Sequence, residues 1–276
     1  MTPELFIKQG DTAAALTAAK QAVQKAPADA KCRIALFQIE SVFGHWEKAR
    51  TQLEVLAGMD FDSSTLALVF APVLECEAVR ADVFAGKKTP IIFGEPEEWM
   101  GLLVQANQHI AAGEVAAAET LRTHALEAAP AIGGTINGKP FEWVADADSR
   151  LGPILEVIMD GCYRWVPFSR ITSIDIEPPN DLRDLVWANA KFEWTNGGIA
   201  SGLIPTRYPG SESSADPLVQ LGRKTEWTEQ PGNTYLGLGQ RLFATDQEDF
   251  ALLEVRSVKL NAAEPASPET VSAANE

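Results

Sequence analysis

Residues 202–227 read GLIPTRYPGSESSADPLVQLGRKTEW, and the Arg-Tyr-Pro-Gly-Ser-Glu run inside them has the residue types for chemistry. Such a loop could cradle a phosphate, activate Ser211 as a nucleophile, or turn the chain. A nucleophilic serine needs a base within hydrogen-bond reach. The histidines His45, His109 and His124 all precede residue 125, so a base would have to come from the other half of the chain. Ser211 also lacks a GxSxG elbow, and Pro209-Gly210 before it reads as a turn. His109 and His124 lie 15 residues apart, without HxxxH or HExxH spacing. The pairs Asp181/Asp184 and Asp246/Asp249 could do acid–base work. Near capping positions they read instead as helix-dipole partners. The glycine clusters TNGGIASG (195–202) and LGLGQ (236–240) match neither the GxGxxG fingerprint nor a P-loop. No catalytic, cofactor-binding or metal-binding residue is assigned.

More informative are Arg164, Arg170, Arg183, Arg207, Arg223, Arg241 and Arg256. A forked guanidinium suits partly buried carboxylates. Pairing within the fold is therefore expected, with Arg207 and Arg223 fastening their loop to nearby carboxylates. The alternative is an enzyme or small-anion-binding protein using this Arg-rich region. Trp165, Trp187 and Trp194 read as core, Trp46 as packing, and Trp227, after RKTE, as a surface anchor.

The elements that must hold these residues fall into two kinds. With 276 residues, 46% hydrophobic and 22% charged, the chain is of the globular class and long enough for two domains. The formal charge of −15 excludes the basic footprint of a nucleic-acid binder and weakens any case for an anionic membrane surface. Cys32, Cys76 and Cys162 are scattered and form no CxxC. No signal-peptide pattern and no run of roughly 18 apolar residues is present, so a reduced, cytoplasmic protein is expected.

Residues 1–134 are rich in helix formers and carry a period. GDTAAALTAAKQAVQKAP (10–27), GHWEKARTQLEVLAGMDF (44–61) and GEVAAAETLRTHALEAAP (113–130) each begin with a turn glycine and carry alanines inside the following helix. Ala49 follows Ala15 by 34 residues, the tetratricopeptide period. The third copy starts 69 residues after the second, so the stretch between holds a degenerate unit, helical from about Ser64 and ending in a Gly/Pro-rich insertion at 86–96. Stacked helix pairs present a concave surface suited to a peptide or helix. Residues 128–140, AAPAIGGTINGKP, read as a junction that breaks both helix and strand.

Residues 135–260 read as short strands at 141–145, 153–159, 163–168, 171–176, 186–194, 200–208 and 250–260, with a short helix over Asn180–Leu185. The expected architecture is helical tetratricopeptide-like repeats followed by a mostly antiparallel α+β domain. The tail 261–276 lacks large apolar residues and is expected to be disordered.

YRWVPFSRITSIDIEPPNDLRDLVWANA and GGIASGLIPTRYPGSESSADPLVQLGRKTEW, with GLGQRLFATD, ALLEVR and the upstream ALFQIESVFGHWEKARTQLEVLA, resemble the ImpE family, also called TagJ. The resemblance spans roughly residues 5–259. It implies a cytoplasmic accessory protein of bacterial type VI secretion that acts by partner binding rather than catalysis. The implied partners are the N-terminal helix of the small sheath subunit TssB and, in some members, the ATPase ClpV. Repeat geometry puts Ile34, Gln38, Ser41 and Val42 of one unit, with Leu103, Asn107 and Ile110 of another, on a concave groove for that helix; the alternative is that several of them are core. Self-association is left open.

Overall fold

The computed structural model describes residues 2–261. Apart from Asn261, the tail expected to be disordered lies outside the described residues. Helices α1 (Pro3–Lys8) and α2 (Thr12–Lys25) form one helix-turn-helix pair, and α3 (Ala30–Val42) and α4 (Trp46–Leu56) a second. The longer α5 (Phe61–Phe84) lies on α4, and a strand of two residues, β1 (Ile91–Ile92), precedes the pair α6 (Glu98–Ala112) and α7 (Val115–Ala128).

The sequence period has a geometric cause. Gly10, Gly44 and Gly113 all sit at left-handed φ, at +80°, +65° and +78°. In each turn the glycine N–H bonds to the carbonyl three residues back, and the next N–H bonds to the carbonyl five back at 2.9 Å. This paired bond closes the first helix and frees the chain to start the second. Ala15, Ala19, Ala49, Ala118 and Ala125 are buried, their small side chains letting the helices approach. α5 ends in the same turn at Gly86 (φ +71°), but the chain then enters β1 instead of a second helix. No helix among the described residues is long and apolar enough to cross a membrane.

The remaining elements are β2 (Gly134–Ile136), β3 (Lys139–Phe141), β4 (Val144–Asp146), β5 (Ile154–Met159), β6 (Cys162–Pro167), β7 (Ile171–Ile176), β8 (Trp187–Trp194), β9 (Ile199–Pro205), α8 (Pro217–Gln220), β10 (Thr225–Gln230), β11 (Thr234–Gly239), β12 (Leu242–Thr245), β13 (Asp249–Ala251) and β14 (Ser257–Leu260). Among the described residues nine strands make one sheet, ordered β1-β6-β5-β9-β8-β7-β14-β2-β3 and antiparallel except for β1 on β6. β10–β11 form a hairpin, and β13-β12-β4 a small sheet.

Alternation sorts the main sheet between two cores. Ile154, Ile158, Tyr163, Trp165, Trp187 and Leu203 pack against the helices, whereas Leu155, Val157, Val166, Ala188 and Phe192 join Phe243 and Val144 on the far side. β5 is buried along its whole length because both faces are covered.

Some elements differ from the sequence expectation. Residues 128–140 break the helix but not the sheet, because Asn137 (φ 51°) and Gly138 (φ +81°) make the two-residue turn of a β2–β3 hairpin. The expected strand at 250–260 divides into β13, a 3₁₀ turn at Leu252–Glu254, and β14, since the chain there passes between sheets. The helix at 180–185 is a 3₁₀ turn, Leu182–Leu185, capped by Asp181. The strand expected over 200–208 stops at Pro205, and the hairpin β10–β11 lacks the apolar alternation that would have marked it.

Candidate functional site

The segment 202–227 is woven into the fold by main-chain hydrogen bonds. Gly210 (φ +90°) opens a 3₁₀ turn at Ser211–Ser213. Ser211 is fully buried; its hydroxyl donates to the Tyr208 carbonyl at 2.5 Å and accepts from the Gly239 N–H at 2.7 Å. Both bonds tie the loop to its own domain. The carboxylates singled out above also hold backbone. Asp184 accepts from the N–H groups of Asn180 (2.7 Å) and Asp181 (2.9 Å), and Asp246 accepts from Glu142 (2.7 Å). His45 meets Glu40 at 2.5 Å, and His109 meets Glu114 at 2.5 Å, the same turn positions of two units with the residue types exchanged. Among the described residues no group of three or more His, Cys, Asp or Glu is placed to hold a metal.

The densest constellation is a buried seam between α5 and the sheet. Glu156 sits in mid-β5, within an otherwise apolar strand, on the face toward the helices. Arg80 of α5 forks onto it, Nε to Oε1 at 2.6 Å and Nη2 to Oε2 at 3.1 Å, and Arg80 Nη2 also donates to the Arg207 carbonyl at 2.7 Å. Arg241 bridges Glu156 and Asp146 through its two terminal nitrogens and donates Nε–H to the Pro205 carbonyl at 2.8 Å. Tyr163 donates its hydroxyl proton to Glu156 at 2.6 Å, and Trp187 donates Nε1–H to Glu77 at 2.7 Å. Alongside, Arg150 grips Asp148 at 2.6 Å, and Asp148 accepts the Gly237 N–H at 2.8 Å.

Four carboxylates here, Glu77, Asp146, Asp148 and Glu156, share three guanidiniums, those of Arg80, Arg150 and Arg241. Burial alone would raise the Glu156 carboxyl, but Arg80 and Arg241 outweigh it and hold the group at about 2. Asp146 goes the other way, to about 7: burial dominates, its share of Arg241 offsets only part, and Asp148 and Glu156 repel its charge. The arrangement is one of clamping, because the charged groups are spent on one another.

Arg207 and Arg223 correct the sequence expectation. Arg207 is buried and donates to the carbonyls of Val42 (2.8 Å), Gln220 and Ser41 (3.4 Å), while Arg223 donates to the Lys8 carbonyl at 3.3 Å. These carbonyls close α3, α8 and α1, where the last turn of a helix leaves acceptors unpaired and partly negative. The loop thus caps helices instead of pairing carboxylates. Burial lowers the Arg207 guanidinium to about 10. Of the other arginines, Arg170 pairs with Glu97 (3.0 Å) and Arg183 with Asp181 (3.1 Å), and Arg256 donates to the carbonyls of Leu253 and Val255 at 2.6 and 2.5 Å. Arg207, Arg223 and Arg241 line no common anion pocket: two are buried on intramolecular acceptors and the third reaches α1.

The residues assigned to a concave groove need a second correction. Gln38, Ser41, Val42, Leu103 and Asn107 are buried, and Ile34 and Ile110 are half-buried. α3 lies on the 3₁₀ turn Leu182–Leu185, and Asn107 donates to the Arg150 carbonyl at 2.7 Å. Five of these seven side chains are thus spent on packing within the chain and present no open face to a partner helix. Trp46 lies against Trp187 with centroids 5.9 Å apart, as packing requires. Trp227 is 38% exposed and leans on Tyr208. Sequence reasoning missed Arg80, Asp146 and Glu156, although a glutamate inside the apolar run PILEVIM was a visible signal.

Helix pairs of tetratricopeptide type docked through a buried seam onto an antiparallel α+β sheet define a protein of the repeat-bearing, protein-interaction class. Within that class, the chain belongs to the ImpE family. The ImpE protein family matches residues 138–259, and a tetratricopeptide repeat family matches residues 6–68. The chain is 43% identical over 258 residues to the type VI secretion system accessory component TagJ of Pseudomonas aeruginosa, covering 94% of this chain and 90% of that protein. The crystal structure of protein VPA1032 from Vibrio parahaemolyticus shares the fold, with a TM-score of 0.85 at 24% identity over 94% of this chain and 97% of that one.

Proposed function

We propose that this protein is a non-enzymatic accessory component of bacterial type VI secretion that binds a helical segment of the small sheath subunit TssB, in the cytoplasm, and through that contact links the sheath to the ATPase ClpV. The observation that carries this reading is the 43% identity to TagJ over 94% of the chain. The tetratricopeptide match at residues 6–68 supports a role in protein–protein contact. In this reading the helices of residues 1–134 meet the partner, with the sheet of residues 135–260 beside them. The charge set supports it too: Arg80, Arg150 and Arg241 are committed to structural carboxylates, and Ser211 to backbone. Titration of the intact protein with an N-terminal TssB peptide tests the proposal. A micromolar Kd, about −8 kcal/mol, is expected. Absence of binding at that concentration, together with no retention of intact sheath, would overturn it. Co-sedimentation of ClpV with sheath, with and without this protein, tests the link.

A further inference from the structure

The degenerate repeat unit leaves a place unfilled. α5 ends in the glycine turn that elsewhere launches a second helix, but no second helix follows. Beside the C-terminal half of α5 the position is taken by β5 and β6, through Arg80 on Glu156 and Cys76 Sγ on the Gly161 carbonyl at 3.3 Å. Beside its N-terminal half the position is open. A cleft of about 340 Å³ runs between Leu68, Val69 and Pro72 of α5 and Ile158, Gly202 and Leu203 of β5 and β9. Leu68 is 77% exposed, and Phe61, two turns earlier at the start of the same stripe, is 85% exposed.

We propose that this cleft receives one amphipathic helix of about three turns from a partner protein, which supplies in trans the second helix that α5 lacks. The inference rests on the helix-binding function proposed above and adds where the helix lies. Phe61, Leu68, Val69 and Pro72 recur at i, i+7, i+8 and i+11, one stripe about 16 Å long at 1.5 Å per residue. Acid stands at both ends of it, Asp62 beside Phe61 and Asp160 beside Pro72, and no base lies on α5 between Phe61 and Leu74. The fitting partner is therefore apolar on one face with a lysine or arginine near each end. Pro72 has no N–H, so the Leu68 carbonyl lacks the usual i+4 helical donor on this face. A second copy of this chain would bring another surface of net charge −15 against the same acids, which disfavours self-pairing.

The test titrates a labelled N-terminal TssB peptide into the intact protein and into Leu68→Asp, Asp160→Asn and, as an exposed apolar control elsewhere, Leu126→Asp. Leu68→Asp is expected to weaken binding by about 30-fold or more, as loss of a central apolar anchor does. Asp160→Asn should cost about threefold and flatten the salt dependence, and Leu126→Asp should change nothing. Hydrogen exchange should slow over residues 61–73 on binding. Tight binding that survives Leu68→Asp overturns the cleft while leaving the helix-binding function intact. If the sheath peptide fails to bind the unaltered protein, the function falls, and a designed helix with a leucine stripe and lysine ends then tests the cleft alone. No binding of that helix overturns the inference; binding abolished by Leu68→Asp supports it. Self-association in sedimentation that Leu68→Asp abolishes would assign the face to a second copy and overturn it.

Discussion

Helix α5 exposes Phe61, Leu68 and Val69 along its first half and buries Glu77 and Arg80 in its second. Both halves invert the usual sorting of apolar and charged side chains, for opposite reasons. In the buried half each charge meets a partner with matched geometry, Arg80 on Glu156 and Glu77 on the Trp187 indole. A charge pair placed there stabilises little over a well-packed apolar pair, but it is very sensitive to the removal of one member. It therefore fixes how helices and sheet dock. The exposed half has no such partner, and its apolar side chains add little to the stability of the isolated chain. What differs is whether the neighbour that completes each surface is inside the chain.

The sharpest way to break this comparison is Glu156→Gln. It keeps the side-chain shape but leaves Arg80 and Arg241 facing an uncharged group, and a loss of about 3–5 kcal/mol is expected in denaturant unfolding. If Glu156→Gln unfolds no earlier than Leu68→Asp, the two halves of α5 are not different in kind. Arg207→Met comes next. It strips the caps from α3 and α8 and should cost about 2–3 kcal/mol, with faster hydrogen exchange at the end of α3.

The pH dependence sharpens the comparison inside the seam. Asp146 is raised to about 7, so its contribution is fully present below the ordinary carboxylate range and is lost as pH rises through about 7. Glu156 is lowered to about 2, so its contribution is present above the ordinary range and is lost as pH falls toward 2. Stability should then peak near the ordinary carboxylate pKa of about 4 and decline on both sides. Asp146→Asn should flatten the neutral side only, as read from unfolding midpoints between those limits. The smallest effect is expected for Leu68→Asp, within about 0.5 kcal/mol of the unaltered protein, because the side chain already faces water.

How much was legible depended on the range of the interaction. Gly10, Gly44 and Gly113 marked their turns because a left-handed glycine and two bonds within five residues make the motif. The buried alanines and apolar strands such as PILEVIM were equally local signals. The concave groove was misplaced because burial of Ser41 and Leu103 depends on what the second half of the chain lays over them. Arg207 was aimed at carboxylates because its real acceptor, the Val42 carbonyl, lies 165 residues away in sequence and has no side-chain signature.

By itself, then, the sequence determined the helical repeat, its degenerate unit, the antiparallel second half and the family, since each is written in spacing and residue type within a few turns or strands. The tertiary structure alone decided which surfaces are spent. The sheet closes over the inner helices and draws Arg80, Glu156 and Arg241 into one seam, because a buried charge must find its partner wherever the packed chain brings it. By the same packing, the first half of α5 is left uncovered.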